Sequence, residues 1–150
     1  MATLYSDIFD LAQMDYSNYE LDTLYSTSPT NYNLYMTGVL VRVLPSFPNC
    51  LSDLTDRNDT TQTFNIDLTE SEQSILASLM AVQILKKEIF DIRQIRGMTQ
   101  TGRDSTRHSE GNLLKEKRGL RVELEELVEQ KMTVYGLKNE DWSTFYEATE

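Results

Sequence analysis

The sequence predicts an all-α fold, a small bundle of about four helices with a long arm between the last two long helices and an extended C-terminal tail. Three observations carry this prediction. Apolar residues recur at three- and four-residue steps along several stretches, the spacing of one helix face. Helix-entry signals, Ser28-Pro29 and Thr69 to Glu72, precede two of those stretches. Strand-like alternation is confined to Phe64, Ile66 and Leu68, with a minority strand reading for Val39, Val41 and Val43.

Each element follows in chain order. Leu4, Ile8, Leu11 and Met14 mark a short amphipathic helix over residues 4 to 14. Residues 15 to 28 are rich in Tyr, Ser, Asn, Asp and Thr without a period, which predicts a loop or short helical turns. Pro29 suits a first helical turn, where its missing N–H is not needed. Tyr32, Tyr35, Met36, Val39, Leu40 and Val43 then form one face of a helix that Pro45 stops. A polar connection runs from Pro48 to Thr63. Thr69 and Glu72 form a capping box, in which hydroxyl and carboxylate each satisfy the other's backbone N–H. The helix it opens carries Ile75, Leu76, Leu79, Met80, Val82, Ile84 and Leu85 over a wide arc and should be central. Gly97 is expected to end it. Residues 97–111 are polar and glycine-rich, longer than a compact connection needs, and read as a functional or disordered arm. Asn112 is the expected cap of the last long helix, with Leu113, Leu114, Leu120, Leu124, Leu127, Val128, Met132 and Tyr135 as its apolar face and Gly136 as its C-cap. The division is thus a helical domain at 1–138 and a docking tail at 139–150.

Composition narrows function. The chain has 150 residues, one ordinary domain, with 39% hydrophobic residues and a net charge of -10. No apolar run approaches the roughly 20 residues that span a bilayer, so no membrane partner is expected. The opening MATLYSDIFD carries acids where a signal peptide carries lysines and an apolar block. The single cysteine, Cys50, and single histidine, His108, leave no disulfide, thiol dyad or zinc set. Asp56, Asn58, Thr60 and Asp67 fall on a calcium-loop spacing, but Thr61 stands where the loop needs glycine, and Asp67 where it needs a long bidentate glutamate. No glycine-rich phosphate cradle follows a strand. These readings predict no enzyme, no metal and no cofactor.

The net charge hides a segregation. Residues 1 to 85 hold Arg42 and Arg57 against eleven acids, residues 86 to 121 hold ten basic side chains against five acids, and residues 122 to 150 hold Lys131 and Lys138 against eight acids. A basic middle between acidic ends is complementary either within one chain or between copies. Arg93, Arg96, Arg103 and Arg107 are the candidate subunit-interface residues. In the tail, Trp142, Phe145 and Tyr146 share one face of a helical turn. They either fold back on the chain's own bundle or form an anchor for a basic groove on a partner.

The string FNIDLTESEQSILASLMAVQILKKEI, with a variable arm and then SEGNLLKEKRGLRVELEELVEQKMTVYGL, resembles the head-to-tail connector proteins of tailed bacteriophages. Phe64, Leu68, Thr69, Glu72, Ile75, Leu76, Ala77 and Met80 carry the first half of the likeness. Ser109, Asn112, Leu113, Lys115, Leu120, Leu124, Tyr135 and Gly136 carry the second. The resemblance implies a virion structural protein of the neck, made in the host cytoplasm and assembled as a ring, a dodecamer in that family. Its implied partners are the portal protein and a tail, stopper or nozzle protein, with genome DNA passing through the channel unread. It also implies that Trp142, Phe145 and Tyr146 dock on the portal. The alternative reading is a small acidic helical regulator that binds a host or phage enzyme.

Overall fold

A computed structural model describes residues 1–98 and 104–140, with side chains for 1–94 and 111–140. Among the described residues the chain is mostly helical, with five α-helices, one 3-10 turn and a small antiparallel sheet of three two-residue strands.

Helix α1 spans Tyr5–Asp15, but its buried face is Tyr5, Ile8, Phe9 and Ala12. Leu4 and Met14, expected on that face, are exposed. The aromatic pair has the larger apolar surface to hide, and this rotates the helix by one position. Residues expected as loop or turns contain helix α2, Tyr19–Thr27, whose N-cap Asn18 accepts from the Leu21 N–H at 2.8 Å. Only Leu21 of α2 is fully buried, which is why no period was visible. Helix α3, Pro29–Val43, starts on the proline, buries Tyr32, Met36, Val39, Leu40 and Val43, and passes into a 3-10 turn at Leu44–Ser46. The helical reading therefore holds over the strand.

The polar connection folds as a hairpin of β2 (Arg57–Asn58) and β3 (Thr63–Phe64), and β1 (Thr3–Leu4) pairs with the other edge of β3 in the order β1-β3-β2. Gln62, at φ 55°, turns the chain into β3, and its carbonyl accepts the Tyr5 N–H at 3.0 Å. The hairpin thereby caps the start of α1.

Helix α4, Glu70–Met98, packs against α1, α3 and the last helix, the central place its wide apolar arc predicts. Its last described residue is Met98, one past the expected stop at Gly97. Helix α5, Asp104–Asn139, starts eight residues before Asn112 and runs through Gly136. The expected 97–111 arm is thus largely helix, with 99–103 outside the described residues. Polar composition suggested a loop there, yet a helix in water has the same composition. At its far end the Gly136 carbonyl accepts the Glu140 N–H at 3.0 Å as an ordinary helical bond instead of marking a cap.

The core has two connected parts. The first joins α1, α3, the hairpin and the start of α4, with Tyr135 of α5 at its edge. The second, formed by Ala81, Val82, Leu85, Ile89, Leu114, Leu124 and Val128, lies between α4 and α5. Tyr16, Leu79 and Met132 pack against both.

Candidate functional site

The most concentrated polar chemistry sits at the start of α4. The capping box forms as expected: the Glu72 N–H donates to Thr69 Oγ1 at 3.3 Å, and the Thr69 N–H to Glu72 Oε2 at 2.9 Å. Glu72 is 1% exposed and gathers further donors. The Tyr135 hydroxyl donates at 2.7 Å, the Ser52 hydroxyl at 2.9 Å, the Ser52 N–H at 3.3 Å and the Cys50 thiol at 3.4 Å. Burial pushes the Glu72 carboxyl up, but these hydrogen bonds outweigh it and hold the group below its usual range. Burial and the Glu72 charge push the Cys50 thiol up to about 11 and the Tyr135 hydroxyl up to about 12. Tyr135 also accepts the Leu51 N–H at 3.0 Å. A saturated carboxylate beside protonated thiol and phenol groups is a clamp between the connection, α4 and α5. It has neither a free base nor a ready nucleophile.

Two further clusters tie α1 and its exit to the long helices. The Tyr16 hydroxyl donates to Glu88, whose other oxygen lies 2.6 Å from Lys117 Nζ, and the same ammonium donates to the Tyr16 hydroxyl at 3.0 Å. Nearly three turns back along α4, Lys131 Nζ donates to Ser78 at 2.7 Å and Ser74 at 3.0 Å, and Ser78 donates to Asp15 at 2.5 Å. Each cluster joins α5, α4 and the end of α1 or the residue just beyond it.

The candidate interface residues are only partly described. Arg93 is exposed on α4. Arg96 lies in α4 and Arg107 and His108 in α5, with side chains outside the described set. Arg103 and the tail residues Trp142, Phe145 and Tyr146 lie outside the described residues altogether. Part of the charge complementarity is used within the chain: Lys86 of α4 meets Glu125 of α5 at 3.0 Å, and Lys117 meets Glu88. Asp56, Asn58 and Thr60 belong to the hairpin, where Asp56 accepts from Asn65 at 2.6 Å and Asn58 from the backbone N–H groups of Thr60 and Thr61. Among the described residues no cluster of three ligating side chains could hold a metal ion, and no helix is long and apolar enough to cross a membrane.

The surface that sequence reasoning missed lies along α5. Leu113, Leu127 and Val134, with half-buried Leu120 between them, recur every seven residues on the shoulder of the helix beside its buried face. At the far end this shoulder and the first turns of α4 enclose a groove of about 430 Å³. The seven-residue recurrence was present in the sequence, where it merged with the core-facing stripe of the same helix.

Comparison with known proteins finds no matching family model, no matching curated protein and no matching solved structure.

Proposed function

We propose that this chain is a non-enzymatic assembly protein, a phage head-to-tail connector that docks on the portal as a ring and presents the attachment site for a tail, stopper or nozzle protein. The observation that carries the reading is the outer surface of α5. This helix is about 54 Å long at 1.5 Å per residue. Among its described side chains it buries Leu114, Leu124, Val128 and Tyr135 and leaves Leu113, Val122, Leu127 and Val134 exposed. A long rigid element with apolar side chains on view suits contact with neighbours. The resemblance adds a shared frame more than a shared site, because Phe64, Leu68, Glu72, Ile75, Leu76, Ala77, Met80, Leu124 and Tyr135 are all buried. The chemistry of the Glu72 cluster, clamped and protonated where a nucleophile would be needed, accords with a binding role.

In this reading Arg93, Arg96, Arg103 and Arg107 meet acidic surface on the next copy or on the portal, and Trp142, Phe145 and Tyr146 anchor the ring. Truncation after Glu140 keeps every described element, so it should preserve the far-ultraviolet circular dichroism while abolishing binding to portal rings. Undiminished binding would overturn the assignment of the anchor. Co-purification with one soluble enzyme as a monomer or dimer, and never with particles, would favour the regulator reading instead.

A further inference from the structure

The groove at the end of α5 has an apolar floor and a basic edge. Ile75 of α4 and Leu127, Val134 and Tyr135 of α5 form the floor, and Lys131 and Lys138 stand on the α5 side, with Glu70 as the acid on the α4 side. Ile75 and Tyr135 belong to the packed core, whereas Leu127 and Val134 are 37% and 51% exposed. A volume of about 430 Å³ is within the range of sites that take a compact organic group. We propose that residues 141–150 of the same chain occupy this groove.

Position, reach and chemistry converge on that occupant. The chain leaves α5 at Glu140, within one turn of Lys138 and two of Val134. Leu127 lies thirteen residues back along the helix, about 20 Å at 1.5 Å per residue. Ten extended residues reach roughly 33 Å, so the segment can double back along the whole groove. It brings Trp142, Phe145 and Tyr146 to cover the exposed leucine and valine, and Asp141, Glu147 and Glu150 toward Lys138 at the rim. The proposal concerns the chain in isolation and does not depend on the connector reading; a partner that took the segment would simply compete with this groove.

Trp142 is the sole tryptophan, so its fluorescence reports on the segment directly. In the full chain at neutral pH, its emission should be blue-shifted and shielded from acrylamide relative to the same chain unfolded in denaturant, and the shielding should be independent of dilution. Leu127→Asp and Val134→Asp should each shift the emission to the red and remove the shielding, with circular dichroism confirming the fold. Lys138→Glu, at the exposed rim, gives the same readout without touching the floor. Leu34→Asp, on the exposed face of α3, should change nothing. Trp142 fully quenched in the wild-type chain, or shielding that survives the groove substitutions, would overturn the proposal. Shielding that disappears on dilution would do so as well, by placing the segment on a second copy.

Discussion

Glu72 shows how one side chain can serve at two levels. Its place in a capping box is legible in the local string from Thr69 to Glu72, because both partners lie within one turn. The Tyr135 hydroxyl that completes its shell comes from 63 residues away and leaves no local trace. The same holds for Cys50, whose bond to the carboxylate joins residues 22 positions apart. The energetic consequence can be tested by pH. The carboxyl of Glu72 is held below its ordinary value of 4.5, so its stabilising contribution is complete above that value and is lost as pH falls through the depressed one. Glu72→Gln should lower stability at pH 7 by about 1–3 kcal/mol, since one carboxylate oxygen becomes a donor facing donors. The variant should also show a flatter acid limb in denaturant titrations as pH falls below 4.5. An acid limb as steep as the wild type's would assign that pH dependence to other carboxylates.

Among the elements, α3 and α4 were readable because entry signal, periodicity and stop agree. Helix α2 and the first two turns of α5 were not, because they present few or no apolar residues at helical spacing. What holds α5 in place is partly polar and therefore also hidden from periodicity. The Tyr16, Glu88 and Lys117 cluster couples the chain just after α1 to both long helices in a half-buried setting, with Glu88 and Lys117 side chains 23% and 19% exposed. A double-mutant cycle with Glu88→Gln and Lys117→Met should return a coupling of about 1–2 kcal/mol by chemical denaturation, well above the few tenths of an exposed pair. Additive effects would remove this cluster from the account. Glycines inside α5 offer a second check, because a Cβ at Gly119 or Gly136 would meet nothing within 4 Å. Gly119→Ala and Gly136→Ala should each stabilise the chain by about 0.5–1 kcal/mol and raise Tm, as expected for unstrained helix interiors. A loss of stability at either position would mean that the helix is not continuous there.

At the scale of the molecule, the net charge of -10 becomes informative only when it is placed on the fold. Lys86 and Lys117 spend their charge inside the chain, bridging α4 and α5, so the basic middle is partly a structural seam. Arg93 on α4 and Lys115 and Arg118 on α5 are exposed in the described part of that block and stand open to a neighbour. The apolar shoulder of α5 adds a second feature that assembly would use, and neither could be assigned from composition alone. The central proposal is that the chain assembles on a portal. The purified 150-residue chain mixed with phage portal rings, followed by sedimentation and native mass spectrometry, tests this most directly. The proposal predicts that the chain co-sediments with the rings in a fixed symmetric stoichiometry, and that Arg93→Glu reduces the bound fraction without changing the Tm. A chain that stays at the top of the gradient at every ratio, with the portal unchanged in mass, would contradict it.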